Sequence, residues 1–162
     1  MVHAYETIAS YLSSKTSYRP EVGIICGSGL SGLSKSLENS ETFKYEDIPG
    51  FAAATVAGHI GELVFGTIGS IECVCMRGRF HYYEVRSQWL YPIYNIAFTY
   101  TRPPPPPLHK GNEMDQVILP VRVMRLMGVK LLIVTNAAGG LNQTYNVGDM
   151  MVIQDHFGLV SL

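Results

Sequence analysis

The stretch Val22-Gly23-Ile24-Ile25-Cys26-Gly27-Ser28-Gly29-Leu30-Ser31-Gly32-Leu33 constrains the chain more than any other. An apolar run of strand length feeds a glycine pair around a serine, followed by residues that tolerate a helix or turn. Such a sequence predicts a strand ending in a loop of free backbone N–H groups. Glycines at 27 and 29 let the main chain approach a ligand closely, and Ser28 adds a hydroxyl donor between them. A helix following the loop would direct a partial positive charge at the same place. A loop of this kind suits an anion, phosphate above all.

The remaining composition narrows the partners of that loop. With 162 residues, 47% apolar and 15% charged, the sequence describes one soluble globular domain with room for a sizeable core. Twelve basic against thirteen acidic residues give a net charge of -1 and no basic stripe, which argues against nucleic acid and acidic membranes as partners. The three cysteines, Cys26, Cys73 and Cys75, all lie in apolar runs, the pattern of reduced core thiols in a cytoplasmic protein. No further ligands at metal-site spacing accompany Cys73 and Cys75. Met1–Ser10 has neither the basic head nor the apolar core of a signal peptide, and no run of about 20 apolar residues could span a bilayer.

Periodicity predicts a helix over 3–15 (Tyr5, Ile8, Leu12), a break at Arg19-Pro20 and a strand over 21–26. Leu30–Leu37 reads as a short helix or turn, and Phe43–Pro49 as a strand end entering a Pro-Gly turn. Glu62–Ile68 and Ile71–Met76 form a hairpin about Gly69-Ser70. Val117–Met127 predicts a helix capped at Gly128, Leu131–Val134 a buried parallel strand, and Met150–Ile153 another strand. Strands, helices and glycine turns alternate, so the fold class is α/β, a mixed and largely buried β-sheet flanked by helices. Residues 85–116 stand apart as an atypical proline-rich insertion. They begin rich in aromatics, pass through five prolines at Pro103–Pro107 and end in a polar run. Consecutive prolines force an extended rod without internal hydrogen bonds, which fits neither sheet nor helix.

Three further stretches carry chemistry beside the glycine loop. Gly27–Gly32 also fits the dinucleotide pattern G-x-G-x-x-G, yet Glu46 and Asp47, at the right distance for a ribose-binding acid, do not close an apolar strand. His59 sits between glycines in Gly58-His59-Ile60-Gly61, presented rather than packed. Arg77-Gly78-Arg79-Phe80-His81-Tyr82-Tyr83-Glu84 collects polar groups at a strand end, where an arginine fork can clamp phosphate. His81 and Tyr83 share a face if that strand continues. Thr135-Asn136-Ala137-Ala138-Gly139-Gly140 follows a strand with small residues, leaving space for a flat ligand at the sheet edge where open α/β sheets bind theirs. Asn142-Gln143-Thr144 matches a glycosylation acceptor, which a cytoplasmic protein does not use.

In this order, and with Gly148-Asp149-Met150-Met151-Val152-Ile153-Gln154-Asp155-His156, the stretches resemble the amino-terminal half of the trimeric purine nucleoside phosphorylases. The likeness covers about 1–84 and 117–160. It implies a single partial phosphorylase domain over 1–162, with phosphate attacking the anomeric carbon of a purine (deoxy)ribonucleoside to release base and pentose 1-phosphate. It implies a homotrimer and no metal or organic cofactor, inorganic phosphate being a co-substrate. Carried over by position, Ser28, His59, Arg79, Phe80, His81 and Ala137 would bind phosphate. His81 and Tyr83 would lie along the ribose, with Glu84 steadying His81. Asn136 and Ala138 would border the base.

The resemblance also carries departures. The family's purine-gripping acid and amide and a further phosphate serine lie in its second half, beyond Leu162, so little or no turnover is expected of this chain alone. Val85 and Arg86 stand where the family has a glycine and an aromatic, and 85–116 replaces a shorter link, as retained non-coding sequence would. Methylthioadenosine phosphorylase, on the same fold, is the nearest rival, although Asn136-Ala137-Ala138 and Gly78-Arg79-Phe80-His81 match the purine enzyme better. A non-catalytic phosphate-binding fragment is the reading from outside enzymology.

Overall fold

A computed structural model describes residues 2–27, 29–51, 61–79 and 113–155. Ser28, His59, Phe80, His81, Tyr83 and Glu84 lie outside them, as does most of the 85–116 stretch. Helix α1 (Val2–Lys15) leads to strand β1 (Val22–Ile25), a 3-10 turn at Ser31–Ser36, and β2 (Glu38–Lys44). A second 3-10 turn, Tyr45–Asp47, precedes the hairpin of β3 (Glu62–Ile68) and β4 (Ile71–Arg77); helix α2 (Glu113–Leu126) and β5 (Leu131–Val134) complete the order. Helix α2 starts four residues before the Val117 expected, so Glu113–Gln116, the end of the polar run, is helical.

The strands form one mixed sheet in the order β2-β3-β4-β1-β5. Strand β1 is central and parallel to both neighbours, Ile25 standing opposite Met76 on β4 and Val134 on β5. Strand β3 runs antiparallel to β2 and β4. Three parallel strands therefore deliver their carboxyl ends side by side, and the chain leaves each of them along the same edge.

The period-two alternation of β3 and β4 splits the core into two layers. Leu63, Phe65, Val74 and Met76 face α1 and α2, packing with Ile8, Leu12, Val123 and Met124. Val64, Cys73 and Cys75 face the other way, with Ile24, Cys26 and Leu37. Cys73 and Cys75 thus share a face, and all three cysteines are free and buried. The Cys26 and Cys75 sulfurs lie 3.1 Å apart, a thiol contact and not a bond.

Two expectations change. Met150–Ile153 is not a strand: Met150 and Val152 are 98% and 93% exposed and pair with no described strand. Its apolar residues supply strand propensity, but a strand also needs a neighbouring ladder. Strand β5 is parallel as expected but not buried, since among the described residues it is the sheet's outer strand and only Leu132 is partly covered. The glycine loop enters a six-residue 3-10 turn, within the short helix or turn expected over Leu30–Leu37, and a run this short lacks the aligned dipoles of a long α-helix.

Candidate phosphate-binding edge

The chain after β1 is held by the chain after β5. Thr135 Nα–H donates to the Ile25 carbonyl at 3.0 Å, continuing the ladder by one residue. The Thr135 hydroxyl donates to the same carbonyl at 3.0 Å and accepts the Gly27 N–H at 2.9 Å. The two loops touch so closely that a Cβ on Gly27 would stand 2.4 Å from the Thr135 carbonyl oxygen and 2.7 Å from Asn136 Cα. Gly29 is glycine for another reason: its φ is +78°, with open space around it. One glycine permits contact between backbones, and the other permits the turn.

Arg79 leaves β4 on the far side of β1. It lines a cavity of about 480 Å³ with Ile25, Met76 and Val134 from the three strand ends and Val117, Ile118, Val121 and Arg122 from the first half of α2. The walls are apolar except for the two guanidiniums, and Arg122 also stands over the Tyr5 ring at 5.6 Å. Of the expected ligands among the described residues, Arg79 alone lines this cavity. Asn136, Ala137 and Ala138 do not line it; they belong to the loop that follows Val134. All three are exposed, as is the rest of the described chain that follows them.

Two side chains meet the chain just before Arg79. Arg77 faces Glu62 across the hairpin, with Nη1 2.9 Å from the carboxylate. The buried Tyr45 hydroxyl donates to the Gly78 carbonyl at 2.9 Å. Burial, then the nearby Cys75, Cys26 and Glu62, pushes the Tyr45 phenol well above its ordinary range, so the group is a donor at any physiological pH. Thr135 and Tyr45 escaped the sequence reading. Thr135 falls within a quoted stretch but has no role there, and the only trace of Tyr45 is an aromatic in an otherwise polar turn.

One alternative weakens on this geometry. A dinucleotide site needs a second parallel strand ending in an acid beside the glycine strand. Here the parallel neighbours of β1 end in Arg77 and Val134, while β2 stands at the far edge beyond β4 and β3, and Glu46 and Asp47 occupy a 3-10 turn. Among the described residues no group of three or more His, Cys, Asp or Glu could hold a metal ion, and no helix is long and apolar enough to cross a membrane.

The fold is shared with known proteins. The chain belongs to the phosphorylase superfamily, whose profile matches residues 21–161. Its relatives there are purine nucleoside phosphorylases, as the resemblance implied. That of Mus musculus is 44% identical over 96% of this chain and 45% of its own length; that of Anopheles gambiae is 45% identical over 98% and 38%. The chain thus spans less than half the length of these relatives. A crystal structure of a purine nucleoside phosphorylase with ribose 1-phosphate superposes with a TM-score of 0.69 at 39% identity, covering 91% of this chain and 45% of that one. The Schistosoma mansoni enzyme in complex with inosine gives 0.67 at 38% identity, covering 91% and 42%.

Proposed function

We propose that this chain supplies the phosphate and ribose side of a purine nucleoside phosphorylase, cleaving purine (deoxy)ribonucleosides with phosphate to free base and (deoxy)ribose 1-phosphate. The observation that carries the reading is the convergence of three loops, after β1, β4 and β5, on one sheet edge with Arg79 beside them. Ser28, His59, Arg79, Phe80, His81 and Ala137 are assigned to phosphate, His81 and Tyr83 to ribose, and Asn136 and Ala138 to the border of the base. The phosphate oxygen forms a bond to the anomeric carbon as the glycosidic bond breaks, its electron pair leaving with the purine. The sugar is cationic in between, so a phosphate held beneath it stabilises the transition state, and fixing both reactants removes much of the entropic cost of their meeting. The reading takes the chain as one partial phosphorylase domain with an insertion at 85–116. It is cytoplasmic, needs no cofactor, and has a homotrimer as the assembly to test.

The experiment is release of hypoxanthine from inosine by the purified chain, with and without phosphate, alongside equilibrium dialysis of radiolabelled phosphate. Phosphate binding with phosphate-dependent release far below an ordinary enzyme rate, both lost in Arg79→Ala, is the expected result. Binding of phosphate without release supports the fragment reading over the enzyme. Absence of phosphate binding removes the phosphorylase reading of this edge.

A further inference from the structure

Tyr45 bridges the two strands that lead to Arg79. Its N–H donates to the Gly61 carbonyl at 2.9 Å, at the entry to β3, and its hydroxyl donates to the Gly78 carbonyl at 2.9 Å, at the exit from β4. Between these points Glu62 and Arg77 pair directly across the hairpin, in register and joined by their ion pair. Tyr45 therefore closes a frame whose other sides are Gly61-Glu62 and Arg77-Gly78. The ring is 1% exposed and packs against Phe51, with centroids 5.3 Å apart.

We propose that Tyr45 is a positioning residue for anion binding: it fixes the Gly78–Arg79 peptide so that Arg79 leaves the sheet in a single direction. The inference rests on the phosphorylase reading above. Gly78 has φ +96°, a conformation that glycine reaches freely and other residues rarely adopt. That freedom turns the chain off the line of β4, but on its own it would leave the next peptide plane loosely defined. The Tyr45 hydroxyl takes the carbonyl of that plane and removes the freedom where Arg79 begins. A guanidinium set in advance loses less entropy when it closes on an oxyanion. A buried tyrosine whose hydroxyl merely needs a partner would serve stability alone, so the test must separate the two roles.

Tyr45→Phe deletes the hydroxyl and keeps the ring and the N–H to Gly61. Tyr18→Phe removes the same chemistry elsewhere, where the Tyr18 hydroxyl donates to the Asn39 carbonyl at 2.6 Å. Phosphate affinity of the full chain is read by equilibrium dialysis of radiolabelled phosphate, and hydrogen exchange is read at the Arg79 amide. The expected result is about fivefold weaker phosphate binding and faster exchange at Arg79 in Tyr45→Phe, the order of one hydrogen bond, with affinity unchanged in Tyr18→Phe. Equal affinity in Tyr45→Phe and wild type, or equal weakening in both variants, overturns the inference and leaves the phosphorylase reading standing. A wild-type chain that binds no phosphate overturns that reading, and this inference with it.

Discussion

The hydroxyl of Thr135 accepts the Gly27 amide at 2.9 Å and donates to the Ile25 carbonyl at 3.0 Å, so one side chain clasps the end of β1 to the end of β5. The Ile25 carbonyl has a second donor in the Thr135 N–H, but the Gly27 amide is buried and draws on the hydroxyl. Thr135→Val keeps the shape and strands that donor. The expected cost is about 1–3 kcal/mol of unfolding free energy, with Thr135→Ser recovering most of it, measured by urea denaturation. A Val variant as stable as wild type would show that the clasp adds nothing.

Gly27 tests the same junction from the other side. A methyl there would meet main-chain atoms of Thr135 and Asn136 at 2.4 and 2.7 Å, and neither can swing aside as a flexible side chain would. Gly27→Ala is expected to cost about 1–3 kcal/mol by forcing the two loops apart. Gly29→Ala meets no atom but must hold φ +78°, so its cost is backbone strain of about 1 kcal/mol. Denaturation midpoints of the two variants should keep this order.

The framework was legible because its signals are local. The strands β1, β3 and β4 announce themselves as apolar runs bounded by turn residues, and the Gly69-Ser70 hairpin and the cap at Gly128 follow from glycine's tolerance of positive φ. The first half of β2 was not legible: Glu38-Asn39-Ser40 is polar and exposed, Asn39 has φ +51°, and the pairing with β3 shifts register between Glu38 and Glu41. Leu131–Val134 and Met150–Ile153 look alike as apolar runs, yet only the first finds a ladder. At the site, Arg79 and 135–138 could be picked out as polar or small groups at strand ends. The Thr135 clasp and the Tyr45 brace could not, because each joins residues 108 and 33 positions apart.

Stability should fall in alkali. Burial holds the Cys75 and Cys73 thiols above their ordinary value of 9.0, the contact with Cys26 adding to the effect at Cys75, and burial raises the Tyr45 phenol likewise. Each group is neutral when folded and ionises more readily when unfolded. Their contribution is therefore complete below the ordinary thiol range and is lost as pH rises through it. The melting temperature is expected to be flat up to about pH 8 and to decline beyond about pH 9, with a shallower decline in Cys75→Ala. A decline that begins in the neutral range would implicate other groups.

The same burial makes the thiols reporters of unfolding. Cys26, Cys73 and Cys75 are 3%, 2% and 0% exposed, and a thiol reagent attacks the accessible thiolate. An aromatic disulfide reagent at neutral pH is expected to modify none of them within the native chain's lifetime and all three in denaturant. Rapid labelling of one cysteine without denaturant would mean that the layer beneath the Ser31–Ser36 turn opens independently.

The Glu62–Arg77 pair gives the last test. Both side chains are largely withdrawn from water, at 18% and 21% exposure, and Arg77 Nε is buried with no hydrogen-bond partner among the described residues. Removing the carboxylate leaves a guanidinium already short of partners, and the loss should exceed that of a surface ion pair. Glu62→Gln is expected to destabilise by about 1–3 kcal/mol, whereas Glu62→Gln with Arg77→Met should recover part of the loss, because no unpaired charge remains. A double-mutant cycle by urea denaturation reads the coupling directly. Strict additivity would mean that the two side chains are neighbours across the hairpin without being partners.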